Sequence, residues 1–263
     1  MPTSLLNLSQ LKPDQLRQSE DSYIDILFGG CLDNGAPLLR ALASRSYLDL
    51  NREPFELDQR MFAESLPGHM NPGSPRVAAG LGTLPRVVGD DIEIYRSKIP
   101  LSEAISRIEG YYMPYHRTLV ELLQKAQLAT GFVVLVDCHS MPTTARPPLN
   151  AKQPDVVLGD RFGRSVAPEI STAIESFFLS EGLHVVRNKP YAGGFITETY
   201  GAPLQNRHAV QVEISRSLYM NERTLAPLAN FAHLRNTLSR FSSRLKEIIK
   251  EYLENRRIIQ AAE

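Results

Sequence analysis

The chain has 263 residues, 43% hydrophobic, 8% aromatic and 22% charged, the profile of an ordinary globular protein of one large domain or two small ones. Lys plus Arg equals Asp plus Glu at 29 each. That balance excludes the charge excess expected of a nucleic-acid binder or of a protein drawn to an acidic membrane surface, and leaves a small-molecule partner as the expectation, in a monomer or small homo-oligomer. The two cysteines, Cys31 and Cys138, are too few for a disulfide framework and lack CxxC spacing, so they are expected as packed thiols in a reducing compartment. No apolar run approaches the roughly 20 residues that cross a bilayer. The opening MPTSLLNLSQLKPDQ has neither a basic nor an apolar signal region. The expected location is cytoplasmic.

In chain order, SEDSYID places Glu20, Asp21 and Asp25 on what reads as a first helical turn after Ser19, where acids favour the helix dipole. Tyr47 to Leu50 reads as a strand that ends in Asn51 and Arg52. An Arg there can hold a small anion through two parallel hydrogen bonds; the plainer reading is an ion pair with Glu53 or Glu56. From Glu64 to Gly89 the chain is dense in Gly and Pro, which predicts a long loop bordering an active-site mouth, with His69 facing solvent. Ile105, Ile108, Tyr112, Tyr115, Leu119 and Leu122 repeat at helical spacing, and Pro114 should kink or split that helix.

Strands are further expected at Phe132 to Asp137, Asp155 to Leu158, His184 to Arg187 and Ala209 to Ile214. A helix capped by Ser165, with Pro168 in its first turn, should bury Ile170, Ile174, Phe177 and Phe178 and stop at Gly182. A last helix, capped by Thr224, should run its stripe from Leu228 through Leu234, Leu238, Phe241 and Ile248 to Leu253. Strands alternating with helices imply an α/β sheet covered on both faces.

Two strands carry the residues suited to chemistry. FVVLVDCHSMP ends an apolar strand in Asp137, Cys138, His139 and Ser140, at the carboxyl end where open α/β sheets hold ligands. A His in that place can bind a divalent metal, with a nearby carboxylate or carbonyl fixing its tautomer. HAVQVEISRSLYM puts Gln211 and Glu213 on one face of a strand. A carboxylate there is costly unless paired, so Glu213 is a candidate general base, the alternative being a salt bridge to Arg216. His208 is a second site residue or a packed histidine at a strand start. In YAGGFITETYGAP, Gly193 and Gly194 allow close backbone approach, with Thr197, Tyr200 and Gly201 able to line the same pocket; a tight turn explains the glycines as well. A serine or cysteine hydrolase using Ser140 or Cys138 is disfavoured, since no GxSxG elbow surrounds them.

Taken in order, LDLNREP, VDCHSMP, PDVVLGDRFG, GGFITETYGAP and HAVQVEISRSLYMNE resemble the N-formylglutamate amidohydrolase family over almost the whole chain. The resemblance implies one domain over residues 1–263 with a mixed central sheet flanked by helices, a three-layer sandwich akin to the zinc carboxypeptidases and phosphorylase/hydrolase-like folds. It implies metal-dependent hydrolysis of N-formyl-L-glutamate to formate and L-glutamate in histidine degradation. Carried onto this sequence, it makes His139 and Asp21 metal ligands, with Glu20 as the alternative acid, and Glu213 the residue that activates water. Asn51, Arg52, Thr197, Tyr200 and Arg216 become substrate-binding candidates, and Zn2+ fits the donor set. Family members begin with a strand leading into a Pro-His motif of the form SPHSG, and no Pro-His pair precedes Glu20. The chain is therefore expected to lack that strand and one ligand; the alternative it carries is a family member that binds an acidic N-acyl amino acid with little or no catalysis.

Overall fold

In the computed structural model, which describes residues 1–89, 92–143 and 153–262, the chain forms helices α1 (Thr3–Leu8), α2 (Pro13–Leu16), α3 (Ile24–Leu27), α4 (Pro75–Ala78), α5 (Leu101–Arg107), α6 (Met113–Thr130), α7 (Pro168–Ser180), α8 (Phe195–Tyr200) and α9 (Phe231–Ala262). Its strands are β1 (Val87–Val88), β2 (Ile92–Glu93), β3 (Val133–Met141), β4 (Val156–Gly159), β5 (Val185–Arg187) and β6 (Arg207–Ser215). Two compact units divide them: Met1–Asp21 with Leu39–Gln124, and Ser22–Leu38 with Lys125–Glu263.

The first unit is mostly helix and irregular chain, with β1 and β2 as its antiparallel pair. Its fully buried Arg107 organises the interior. The guanidinium donates to Tyr47 O (3.0 Å), to Tyr95 Oη (2.9 Å) and to Glu103 Oε1 (2.9 Å), and it lies 4.1 Å from the centre of the Tyr47 ring. These contacts show why Tyr47 to Leu50 is not the strand its composition suggests. The N–H groups of Tyr47 and Leu48 turn back to Ser44 O, Arg107 takes the Tyr47 carbonyl, and Asp49 N donates to Thr83 O. Strand propensity reflects pairing context, and here side chains and a loop satisfy the backbone instead.

The expected helix around Pro114 is indeed broken. A π turn over Ile108–Tyr112 separates α5 from α6, with Met113 N bonded to Ile108 O. Pro114 has no N–H to continue the ladder and its ring crowds the preceding turn, which accounts for the break at this point. The stretch 64–89 is irregular except for α4 and β1, and His69 is exposed with its ring edge-on to Phe55.

The second unit holds a four-stranded mixed sheet in the order β3-β6-β4-β5. β3 pairs parallel to β6, β6 antiparallel to β4, and β4 parallel to β5. Side chains alternate between faces along a strand. Val134, Val136, Cys138, Val156, Leu158, Val210, Val212 and Ile214 all join the core formed with α7 and α9, through Ile170, Ile174, Phe178, Leu234, Leu238 and Phe241. The odd-numbered residues of β3, β4 and β6 therefore lie on the opposite face. The Phe177 and Phe178 rings stand 5.6 and 4.8 Å from that of Phe241 and lock α7 to α9.

Two helix starts differ from expectation. α7 begins at Pro168 with Ala167 as the residue before it, extended at φ −60° and ψ 138°, not with a Ser165 cap. A residue preceding proline disfavours helical backbone, so the helix opens on the proline itself. It ends as expected, with Gly182 in the left-handed region at φ +79°. α9 starts at Phe231 and not after Thr224, because Pro227 keeps Ala226 from helical geometry and Leu225 sits at φ +57°. Thr224 Oγ1 instead accepts from Ala226 N, and Leu228 stands outside the helix, half exposed.

His208 lies wholly buried on the core face. Its Nδ1 accepts the N–H of Ala167 at 3.1 Å, so the neutral ring carries its proton on Nε2, which has no hydrogen-bond partner among the described residues. Phe132 stacks at 4.6 Å and Tyr252 meets it edge-on at 5.7 Å. Burial, reinforced by the Arg256 charge and opposed by Glu169, pushes its pKa down from 6.5 to about 4. A neutral folded His loses ground as the unfolded chain takes up its proton, so unfolding free energy should fall by about 3 kcal/mol as pH drops from 6.5 to 4. A His208→Gln variant, which keeps an acceptor but does not titrate, should show a flatter stability curve over that window in urea titrations.

Candidate functional site

The register of β3 with β6 builds the site in the second unit. Asp137 pairs with Gln211 and His139 with Glu213 across the two parallel strands. Because all four positions are odd, their side chains form a two-by-two polar block on the face away from the α7 and α9 core. Asp137, Gln211 and Glu213 are buried. His139 Nε2 and Asp137 Oδ1 are 3.0 Å apart. A carboxylate oxygen accepts, so Nε2 carries the proton donated in this contact. Gln211 Nε2 donates to Glu213 Oε1 at 2.6 Å, and Gln211 Oε1 accepts from Gly194 N at 2.7 Å. Burying this many polar groups is tolerable only because each is held by a partner.

Around the block, Arg216 follows the end of β6, buried, with its Nε donating to Ser140 Oγ at 3.1 Å. Thr197 is fully buried and its hydroxyl donates to Gly194 O at 2.9 Å, closing the turn into α8. Tyr200 sits at the far end of α8, where burial raises its phenol pKa. α8 packs against β6 and β3.

The remaining predicted residues gather in the first unit around Asp49. Arg45 Nε donates to Asp49 Oδ2 at 2.9 Å and its Nη1 lies 3.4 Å from Asp21 Oδ2. Asn51 N donates to Asp49 Oδ1 at 2.9 Å. Arg52 does not pair with Glu53 or Glu56: its Nε and Nη1 donate to the carbonyls of Leu81 and Asn51, and its Nη2 is 3.4 Å from Asp49. Burial alone would raise the Asp49 pKa, but Arg45 and then Arg52 outweigh it and hold the carboxyl below its usual range. Glu20 and Asp21 are not on a helical turn. Ser19 ends a short 3-10 segment, Glu20 and Asp21 are irregular, and only Asp25 enters α3. Tyr23 in the left-handed region, φ 67°, delays that helix to Ile24.

Sequence reading undervalued Asp137, Gln211, Arg45 and Asp49. The first two carry a readable signal, the i, i+2 pairs Asp137 with His139 and Gln211 with Glu213, because on a strand such pairs share a face. Arg45 and Asp49 sit in irregular chain, where no periodicity marks which side chains meet. Among the described residues no three His, Cys, Asp or Glu side chains are grouped so as to hold a metal ion, and no helix is long and apolar enough to cross a membrane.

Comparison with known proteins points one way. The family model described as N-formylglutamate amidohydrolase matches residues 1–220. N-formylglutamate deformylase of Pseudomonas aeruginosa is 30% identical over 238 residues, 89% of this chain and 80% of that protein. The deformylase of Pseudomonas putida is 29% identical over 231 residues, 84% of this chain and 80% of that protein. The crystal structure of N-formylglutamate amidohydrolase from Ralstonia eutropha JMP134 superposes with a TM-score of 0.86 at 30% identity, covering 95% of this chain and 90% of that one.

The Asp49 cluster generates its own test. Asp49→Asn leaves the partly buried Arg52 and the neighbouring Arg45 without their shared anion and should cost about 3 kcal/mol, read as a lower urea midpoint at pH 7 with unchanged slope.

Proposed function

The chain belongs to the N-formylglutamate amidohydrolase family, and we propose that it hydrolyses the formyl amide of N-formyl-L-glutamate to formate and L-glutamate, as a cytoplasmic step of histidine degradation. The observation that supports this reading most is the polar block of partly buried His139 with buried Asp137, Gln211 and Glu213, set on a parallel strand pair in a chain at 30% identity to a deformylase. The carboxypeptidase-like sandwich and a zinc requirement belong to the same proposal.

In the proposed reaction, Glu213 takes a proton from water as its oxygen attacks the formyl carbon. The same residue returns a proton to the amide nitrogen as the C–N bond breaks. Asp137 fixes the orientation of the His139 ring. Arg216, buried and steadied by Ser140, supplies positive charge for a substrate carboxylate. Zinc, when bound, would polarise the formyl carbonyl and lower the pKa of water. His139 is the donor the second unit would offer it. Among the described residues no three such donors are grouped, and the proton transfers rest on Glu213.

The test is formate release from N-formyl-L-glutamate, with metal content measured by elemental analysis. The wild type should turn over with about one metal per chain, and metal should fall in His139→Ala. Glu213→Gln should lose about 10²–10⁴-fold in kcat with its fold kept, and Arg216→Ala should act chiefly by raising KM. Tight binding of N-formyl-L-glutamate without formate release, even after adding zinc, would replace this reading with the binding-only one.

A further inference from the structure

We propose that Gln211 is a positioning residue for Glu213, holding its carboxylate through a donor whose direction is dictated by the backbone at Gly194. This deepens the hydrolase reading above and rests on it.

An amide side chain can point either way, and the surroundings decide. Gly194 N can only donate, so the Gln211 atom 2.7 Å from it must be the carbonyl Oε1. The amide nitrogen is thereby turned to Glu213 Oε1, at 2.6 Å. A flipped amide would set N–H against N–H at one end and oxygen against carboxylate at the other. With both ends fixed, Gln211 anchors one oxygen of the Glu213 carboxylate in a set direction.

The anchor at Gly194 is itself built by glycine. Gly159, on β4, pairs with Gln211 on β6. A Cβ on Gly159 would stand 2.6 Å from Gly193 N and 2.9 Å from Ala192 C, so only a bare α-carbon lets the 192–194 backbone lie across the sheet beside Gln211. Gly193 adopts φ +113°, and Thr197 then fastens the carbonyl of Gly194. The line therefore runs from Gly159 through Gly194 and Gln211 to the oxygen of Glu213.

The test uses the full chain, with Gln211→Met, Gly159→Ala and the double variant assayed for formate release beside wild type and Glu213→Gln. Met at 211 has similar length but neither donates nor accepts strongly. The expected result is a kcat loss of about 10–100-fold in Gln211→Met, the scale of a misplaced catalytic group, with KM within about threefold and melting temperature near wild type. Gly159→Ala leaves Gln211 and Glu213 chemically intact yet should also lower kcat, and adding it to Gln211→Met should cost nothing further. A Gln211→Met enzyme with wild-type kcat, a loss confined to KM, or losses that multiply in the double variant would overturn the proposal. So would a failure of both single variants to fold, which would make Gln211 structural. If the wild type releases no formate the hydrolase reading falls and this inference with it; an active wild type with an unaffected Gln211→Met removes the inference alone.

Discussion

The parallel pairing of Val133–Met141 with Arg207–Ser215 is the constraint on which the second unit depends. Side chains on neighbouring parallel strands at matched register share a face, and the period along each strand is two. A slip of one residue would send Glu213 and Gln211 into the Phe178 and Phe241 core and bring Val212 to the polar face. The core forbids that slip: Val134, Val136, Val210, Val212 and Ile214 are all needed against α7 and α9. Hydrophobic burial thus holds the polar block in register, although none of its members belongs to the core cluster.

The same pairing explains how buried carboxylates are tolerated. Asp137 is answered by His139, and Glu213 by an amide whose other end is tied to the backbone. These are short, local solutions, made between residues two apart on one strand. The first unit uses a different device. Asp49 is held by two arginines from irregular chain, and one of them, Arg52, spends much of its remaining hydrogen-bonding capacity on carbonyls. The sheet supplies geometry through regular structure, whereas the Asp49 cluster supplies it through charge.

Legibility of the sequence follows that division. The four strands of the sheet were readable because runs such as FVVLVD and AVQVEI combine β-branched residues with an abrupt polar end, and the structure places strands there. Tyr47 to Leu50 looks similar in composition but has no partner strand among the described residues, and what satisfies its backbone, Arg107 and Thr83, comes from residues far along the chain. The starts of α7 and α9 differ from expectation for a local reason: Ser165 and Thr224 are good caps in isolation, yet Pro168 and Pro227 downstream decide where helical backbone can begin. In the site, the i, i+2 pairs on the strands are readable because they share a face, whereas Arg45 and Asp49 lie in irregular chain, where no periodicity marks which side chains meet.

Two histidines on this strand pair show how much parity alone decides. His139 and His208 both occupy strands with apolar neighbours, and each could be read from sequence as a ligand or as packing. His208 is even-numbered and pairs with Val134, so the alternation that buries Val134 turns its ring into the aromatic contacts of Phe132 and Tyr252. There its charged form is disfavoured, and one nitrogen is fixed by a backbone N–H. His139 is odd-numbered and pairs with Glu213, so the same alternation sets it beside Asp137 on the polar face. The amino acid is identical and the strands are adjacent; the face on which each ring emerges separates a group packed among aromatic rings from one set beside a carboxylate. For a strand pair of known register, that assignment follows from the sequence by counting residues in twos from any one buried valine.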